Sequence, residues 1–133
     1  MLGMIDLSLC IPTLRACDLL RDCLKSVYAQ TQRVAFEIIV VDNNSRDGTL
    51  EMLRDEFPAV RVIANDHNAG FTKPTNQALR ASTGRYALLL NNDTVILPGA
   101  LDRLVEFADA HPDAGIVTPQ VLNRDGTLQK QCR

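Results

Sequence analysis

The sequence predicts an α/β fold, a mostly parallel sheet with helices on both faces. Two observations predict it. Short apolar runs alternate with helix-like patterns along all 133 residues, and β-α alternation implies right-handed crossovers into a parallel sheet. The apolar runs are nearly continuous instead of alternating with polar residues, as expected when helices cover both sheet faces. The length suits one domain, residues 1–133. With 46% hydrophobic residues the chain can bury a core, which excludes a disordered segment.

Each element follows in order. Leu7-Ser8-Leu9-Cys10-Ile11 reads as a strand that stops at Pro12. Residues 18–30 read as a helix, with Leu19, Leu20, Cys23, Leu24, Val27 and Tyr28 at helical spacing. Phe36 to Val41 is a second strand, rich in β-branched residues. Residues 48–57 form a second helix with Leu50, Leu53 and Phe57 on one face, and residues 60–64 a third strand. Residues 74–82 form a third helix, where Pro74 suits the first turn because its missing N–H costs nothing there. Tyr86 to Leu90 is a fourth strand, and residues 98–111 a fourth helix with Leu101, Leu104, Val105 and Ala108 inward. Ile116-Val117 begins a fifth strand, and Asn123-Arg124-Asp125-Gly126 is a turn. The chain then ends without a closing element, so a truncated domain is expected.

Composition removes several classes. A formal net charge of -2 supports neither a nucleic-acid partner nor a polybasic membrane patch. No apolar run is long enough to span a bilayer, and Met1 to Leu9 holds Asp6 and no basic residue, unlike a signal peptide. The expected location is the cytoplasm, with the inner face of the membrane open to the full-length protein. Cys10, Cys17, Cys23 and Cys132 form no C-x-x-C pair and fit no zinc module, so they read as reduced thiols.

In a parallel sheet the carboxyl ends of all strands share one edge, and ligands bind in the crevice outside it. The residues after each strand are therefore informative. They are Pro12-Thr13, then Asp42-Asn43-Asn44-Ser45, then Asn65-Asp66-His67-Asn68, then Asn91-Asn92-Asp93-Thr94. Asn, Asp and Ser are also good turn and cap residues, and Ser45 to Thr49 could be only a cap. Four such clusters on one edge point to a site instead. Carboxylates and carboxamides suit ribose hydroxyls and base edges. A carboxylate reaches pyrophosphate only through a divalent cation such as Mg2+, and Asp93 is the candidate ligand. Asp42, at the ligand edge, is expected to be solvent-reachable. No G-x-G-x-x-G follows the first strand and no G-x-x-x-x-G-K-[ST] occurs, which argues against dinucleotide dehydrogenases and P-loop NTPases. His67 reads as a loop histidine and His111 as a helix-end residue suited to the dipole.

These residues carry a resemblance. Val41-Asp42-Asn43-Asn44-Ser45-Arg46-Asp47-Gly48-Thr49 resembles the V-D-[DN]-x-S-x-D-G-T run of family 2 glycosyltransferases. Ile11-Pro12-Thr13 resembles the end of that family's first strand, and Asn68-Ala69-Gly70-Phe71 followed by Asn76 resembles its N-x-G-F…N segment. Leu89-Leu90-Asn91-Asn92-Asp93-Thr94 looks like the D-x-D variant of rhamnosyltransferase-like members, as does Asp125-Gly126-Thr127-Leu128-Gln129 with Arg133. The resemblance covers nearly the whole chain. It implies a Rossmann-like GT-A domain, a nucleotide-diphosphate sugar donor, a divalent metal (Mg2+ or Mn2+), a glycan or lipid-linked acceptor, and inversion at the sugar carbon, in cell-surface polysaccharide or glycoconjugate synthesis.

Residue by residue, it implies that Pro12 and Thr13 line the nucleoside pocket and that Asp42 and Asn43 contact base and ribose. Asn68 and Gly70 belong to the same nucleotide-sugar site. Asn91, Asn92 and Asp93 hold ribose and metal, with Asp93 the metal ligand. Two departures stand out: Asn91 replaces the first carboxylate of D-x-D, and Lys73-Pro74 replaces the small residues after G-F. Lys73 either touches the donor pyrophosphate or is a solvated surface lysine. An inverting transfer needs a base for the acceptor hydroxyl. In the family that carboxylate lies beyond position 133, and turn roles account for Asp66 and Asp125. The chain is thus expected to bind a donor more readily than to transfer sugar. A sugar nucleotidyltransferase would carry a Gly-rich basic loop where Leu14-Arg15-Ala16 stands, and a phospho-acceptor receiver would need an acidic pair after the first strand. A non-catalytic nucleotide-binding module remains open.

Overall fold

The structure, a computed structural model, describes residues 3–130. Cys132 and Arg133 lie outside the described residues. The elements run β1 (Leu7–Thr13), α1 (Cys17–Gln30), β2 (Phe36–Asp42), α2 (Thr49–Glu56), β3 (Arg61–Ala64), α3 (Thr72–Ala81), β4 (Tyr86–Leu89) and α4 (Ala100–Ala110). The four strands form one sheet in the order β3-β2-β1-β4, with every pairing parallel. The chain builds outward from β1 to β3, then crosses back to place β4 on the other side of β1. Reversing direction with right-handed crossovers moves the connecting helix to the opposite face. So α1 and α2 cover one face and α3 the other, while α4 returns to the first.

Side-chain alternation along β1 and β2 explains why both read as uninterrupted apolar runs. Leu7, Leu9, Ile11, Ile38 and Val40 point to the first face, among Leu20, Leu24 and Val27 of α1, Leu53 of α2 and Leu101 of α4. Cys10, Ile39 and Val41 point to the second, against Ala78 of α3. All of these are buried.

Several boundaries differ from the sequence reading, each for a physical reason. Pro12 does not end β1. It pairs with Val41 inside the strand. The Cys10 carbonyl bonds the Leu90 amide on the β4 side, and Pro12, two residues on, faces that same side. Its missing N–H therefore falls where β4 has already stopped at Leu89. Helix α3 begins at Thr72, and Pro74 sits third, still among the N–H groups that lack an intrahelical partner. Leu50 is half-exposed, and the inward face of α2 is Thr49, Met52 and Leu53. No strand forms at Ile116-Val117, and Ile116 is 92% exposed. Beyond α4 the only pairing among the described residues is the Leu122–Leu128 bridge. That bridge closes the expected Asn123–Gly126 turn, where Gly126 takes φ +83° and its amide bonds the Asn123 carbonyl at 2.9 Å.

Candidate functional site

The strand order reverses at β1, between β2 and β4, and the carboxyl ends of these strands meet there. This is the switch point at which open α/β sheets hold ligands. The loops after β1, β2, β3 and β4 are bonded to one another across it. The Asn43 amide donates to the Thr13 carbonyl at 2.9 Å, and the Asn65 amide to the Asp42 carbonyl at 2.8 Å. The Asn92 side-chain amide donates to Thr13 Oγ1 at 2.9 Å.

Asp42 is nearly buried, unlike the solvent-reachable carboxylate expected at a strand end. It is 2% exposed. Its strand continues one residue further than expected, so the carboxylate is drawn in between the neighbouring strand ends. Oδ2 accepts the Ser45 amide at 3.2 Å, whereas Oδ1 is buried with no hydrogen-bond partner. Beside it lies a cleft of about 340 Å³ walled by Asp42, Asn44, Arg46, Gly48, Thr49 and Asn65. Positive φ at Asn44, Arg46 and Gly48 turns the chain around this cleft.

Asn43 is only 4% exposed and its side chain is fully engaged within the protein. Nδ2 donates to Asn68 Oδ1 and to the Gly70 carbonyl, each at 2.8 Å. Oδ1 accepts the Ala69 amide at 3.0 Å and Asn65 Nδ2 at 3.3 Å. A direct ligand contact would require one of these bonds to be surrendered. Asn43 instead holds the 65–71 loop, and with it Asn68 and Gly70, against the end of β2. Asn65 is itself braced by Gln77 of α3 through a reciprocal amide pair, 2.9 Å in both directions. Sequence reasoning missed Gln77, because a polar residue on a short helix reads as solvent-facing until its partner loop is placed.

The rest of the 41–49 run has structural work. Ser45 Oγ accepts the Arg15 amide at 2.9 Å. Asp47 accepts the Thr49 amide and hydroxyl on one oxygen and the Cys17 amide on the other, stitching together the starts of α1 and α2. Burial would raise the Asp47 carboxyl, but those hydrogen bonds outweigh it and hold it below its ordinary range. Ser45 and Asp47 thus brace the starts of α1 and α2, and within this run Asp42 alone keeps a buried oxygen unpaired at the ligand edge.

The segment after β4 turns tightly, with the Thr94 amide on the Asn91 carbonyl at 3.2 Å. Asp93 is exposed on this turn. Cys23 lies beneath, with its thiol directed at the Asn91 carbonyl at 3.9 Å. Burial, then the charge of Asp93, pushes that thiol up to about 11, so it keeps its proton. Lys73 is exposed in the first turn of α3. Its charge reaches Asp66, whose carboxyl is lowered first by a hydrogen bond from His67.

Among the described residues no group of three His, Cys, Asp or Glu side chains could hold a metal ion alone. The donor set suits a different arrangement. Asp93 offers an exposed carboxylate, and Asn92, whose Nδ2 is spent on Thr13, keeps Oδ1 as an acceptor. Two hard oxygens of this kind fit a Mg2+ or Mn2+ ion completed by substrate phosphates and water. No helix of the described residues is long and apolar enough to cross a membrane.

Comparison with known proteins bears on family and fold. The family model for Glycosyl transferase family 2 matches residues 8–131. The O-antigen biosynthesis protein RfbC of Myxococcus xanthus is 35% identical over 130 residues, covering 96% of this chain and 10% of that protein. The crystal structure of S. aureus TarS 1-349 in complex with UDP superposes with a TM-score of 0.74 at 26% identity, covering 87% of this chain and 38% of that one. The mannosyltransferase PcManGT from Pyrobaculum calidifontis, in complex with GDP-Man and Mn2+, gives a TM-score of 0.71 at 25% identity, covering 80% of this chain and 33% of that one. The chain therefore spans well under half the length of these proteins.

Proposed function

The chain belongs to glycosyl transferase family 2, and from that premise we propose that it binds the nucleotide end of a sugar donor for inverting transfer to an acceptor hydroxyl. The observation that carries this reading is the orphaned Asp42 Oδ1, buried at the ligand edge beside an open cleft. An unpaired buried carboxylate oxygen is costly and only accepts hydrogen bonds. A base with a ring N–H beside a carbonyl, the imide of uracil and thymine or the lactam of guanine, supplies the missing donor. Uracil, thymine and guanine present one, whereas cytosine and adenine carry a bare ring nitrogen at the equivalent position. UDP in the TarS complex and GDP-Man in the PcManGT complex both belong to the first group.

The remaining roles extend the same reading. Pro12 and Thr13 floor the nucleoside pocket at the end of β1, with Thr13 Oγ1 engaged by Asn92. Asn68 and Gly70 form the opposite wall, positioned by Asn43. A divalent ion held by Asp93 and Asn92 would neutralise the pyrophosphate and stabilise the departing nucleotide diphosphate. Lys73 is a second candidate for the pyrophosphate. No carboxylate among the described residues is assigned as the base for the acceptor hydroxyl, and in this reading the chain by itself binds donor without efficient transfer. The product is a cell-surface polysaccharide or glycoconjugate, in keeping with the name of the RfbC relative.

Calorimetric titration with UDP, dTDP, GDP, CDP and ADP tests the reading. At least one of UDP, dTDP and GDP should bind clearly more tightly than CDP and ADP. Asp42→Ala should reduce that affinity roughly ten- to a hundredfold, since a hydrogen bond to a charged group is worth about 1.5–3 kcal/mol. Equal affinity for all five diphosphates, or no effect of the substitution, would remove Asp42 from base recognition.

A further inference from the structure

The turn that carries Asp93 is gripped from below by α1. Ser26 Oγ donates to the Cys23 carbonyl of its own helix at 2.7 Å and accepts the Ile96 amide at 2.8 Å. Ile96 is buried, 6% exposed, and packs into the main core. One helical turn earlier, the Cys23 thiol meets the Asn91 carbonyl. Residues three apart lie on the same helix face. The pair therefore clasps both ends of the 91–96 segment, its first carbonyl and its last amide. The Asn92–Thr13 bond fixes the middle.

The chemistry of the two contacts differs. The thiol contact is long and weak, as sulfur donors are. The Ser26 hydroxyl is well placed for two bonds at once, because its back-bond to Cys23 aims the oxygen lone pair outward. Without it, the Ile96 N–H would be buried and unpaired, a state that buried amides rarely tolerate. The segment would relieve this by shifting away from α1, and the turn would carry Asp93 with it. A carboxylate that supplies one of only two protein oxygens to a cation is sensitive to such a shift, since Mg2+ in particular demands near-ideal octahedral geometry.

We infer that Ser26 is a positioning residue for cation-dependent nucleotide diphosphate binding, acting by holding the Ile96 end of the turn that bears Asp93. This inference rests on the donor-binding reading above. It concerns a residue of α1 whose hydroxyl is spent within the protein, on the Cys23 carbonyl and the Ile96 amide, so it acts through the turn and not by touching nucleotide or metal.

The test uses the chain with UDP and with GDP as probes, titrated in Mn2+ and in EDTA. The wild type should gain affinity for one of them in Mn2+. Ser26→Ala should reduce that gain about tenfold while leaving the EDTA affinity within about twofold of wild type, the size expected for one lost positioning bond. Ser26→Thr retains the hydroxyl and should restore the gain. Amide hydrogen exchange adds a reading that needs no variant: the Ile96 amide of the wild type should exchange slowly. A full Mn2+ gain in Ser26→Ala would overturn the inference, as would equal losses in Mn2+ and EDTA, or fast exchange at Ile96. A wild type that binds these nucleotides with no Mn2+ gain would overturn the cation reading itself, and this inference with it. A wild type that binds neither would overturn the donor-binding proposal.

Discussion

Replacing Asn43 by alanine separates a structural role for this residue from a ligand-contact role. The side chain donates to Asn68 and Gly70 and accepts from Ala69 and Asn65. Truncation removes all four bonds and leaves the Gly70 carbonyl and the Ala69 amide without their partners. A neutral hydrogen bond contributes about 0.5–1.5 kcal/mol net, and a buried group left unpaired costs about 1–3 kcal/mol. The 65–71 loop is partly exposed, so water can recover some of this, and a net loss of about 2–4 kcal/mol is expected. For a domain of this size that lowers Tm by about 6–16 °C. Thermal and urea unfolding measure it directly. Amide exchange should quicken across residues 65–71 and remain slow in β1. A Tm within 2 °C of wild type, together with a large loss of nucleotide affinity, would refute this assignment and return Asn43 to direct contact with base or ribose.

Three further outcomes follow. Glu37 is bonded by the Ser8 hydroxyl, the Thr83 amide and hydroxyl, and Arg61. Burial would raise its carboxyl, but those bonds hold it at about 2. Because the folded value lies below the unfolded one, the stabilisation is complete above about pH 4.5 and is lost as pH falls towards 2. The full shift corresponds to about 3 kcal/mol, reduced to about 1–2 kcal/mol by solvent at the amino end of β2. A Glu37→Gln variant should flatten that acid limb in urea titrations between pH 5 and 2, and an unchanged slope would contradict the assignment. Asp102, buried at the start of α4, accepts the amides of Gln32, Arg33 and Val34, so Asp102→Ala should destabilise by about 3 kcal/mol. A loss under 1 kcal/mol would show that the loop rehydrates. Asp93→Asn should abolish any Mn2+-dependent rise in nucleotide diphosphate affinity without moving Tm by more than about 2 °C, since the residue is exposed. Calorimetry in Mn2+ and EDTA decides it, and a surviving rise would place the cation elsewhere.

The contrast between Asp42 and Asn43 shows how far the sequence could be read. Apolar runs and helical spacing located four strands and four helices, because those periods reflect burial on a twisted sheet and hold locally. Strand ends pointed to the candidate site, because parallel topology forces them to one edge. Which of two adjacent polar residues faces a ligand depends on strand alternation at the last pair, and on a loop some 25 residues away. Neither is visible in a run of short polar side chains. Ile116-Val117 fails for a related reason. Two apolar residues satisfy a local strand pattern, but a strand exists only where a neighbouring edge accepts it, and here Ile116 stands in solvent. Ser26 carries no signal of its own in the helical pattern of residues 18–30. Its partner, the Ile96 amide, lies 70 residues away.

The most direct test of the donor-binding account is an experimental structure of this chain with UDP or GDP and Mn2+. The account predicts that the ring N–H nitrogen of the base lies about 2.7–3.2 Å from Asp42 Oδ1, the ordinary range for an N–H···O bond. It also predicts that Mn2+ bridges Asp93 and the pyrophosphate. A nucleotide bound elsewhere on the sheet edge, with Asp42 Oδ1 still unpaired, would contradict it.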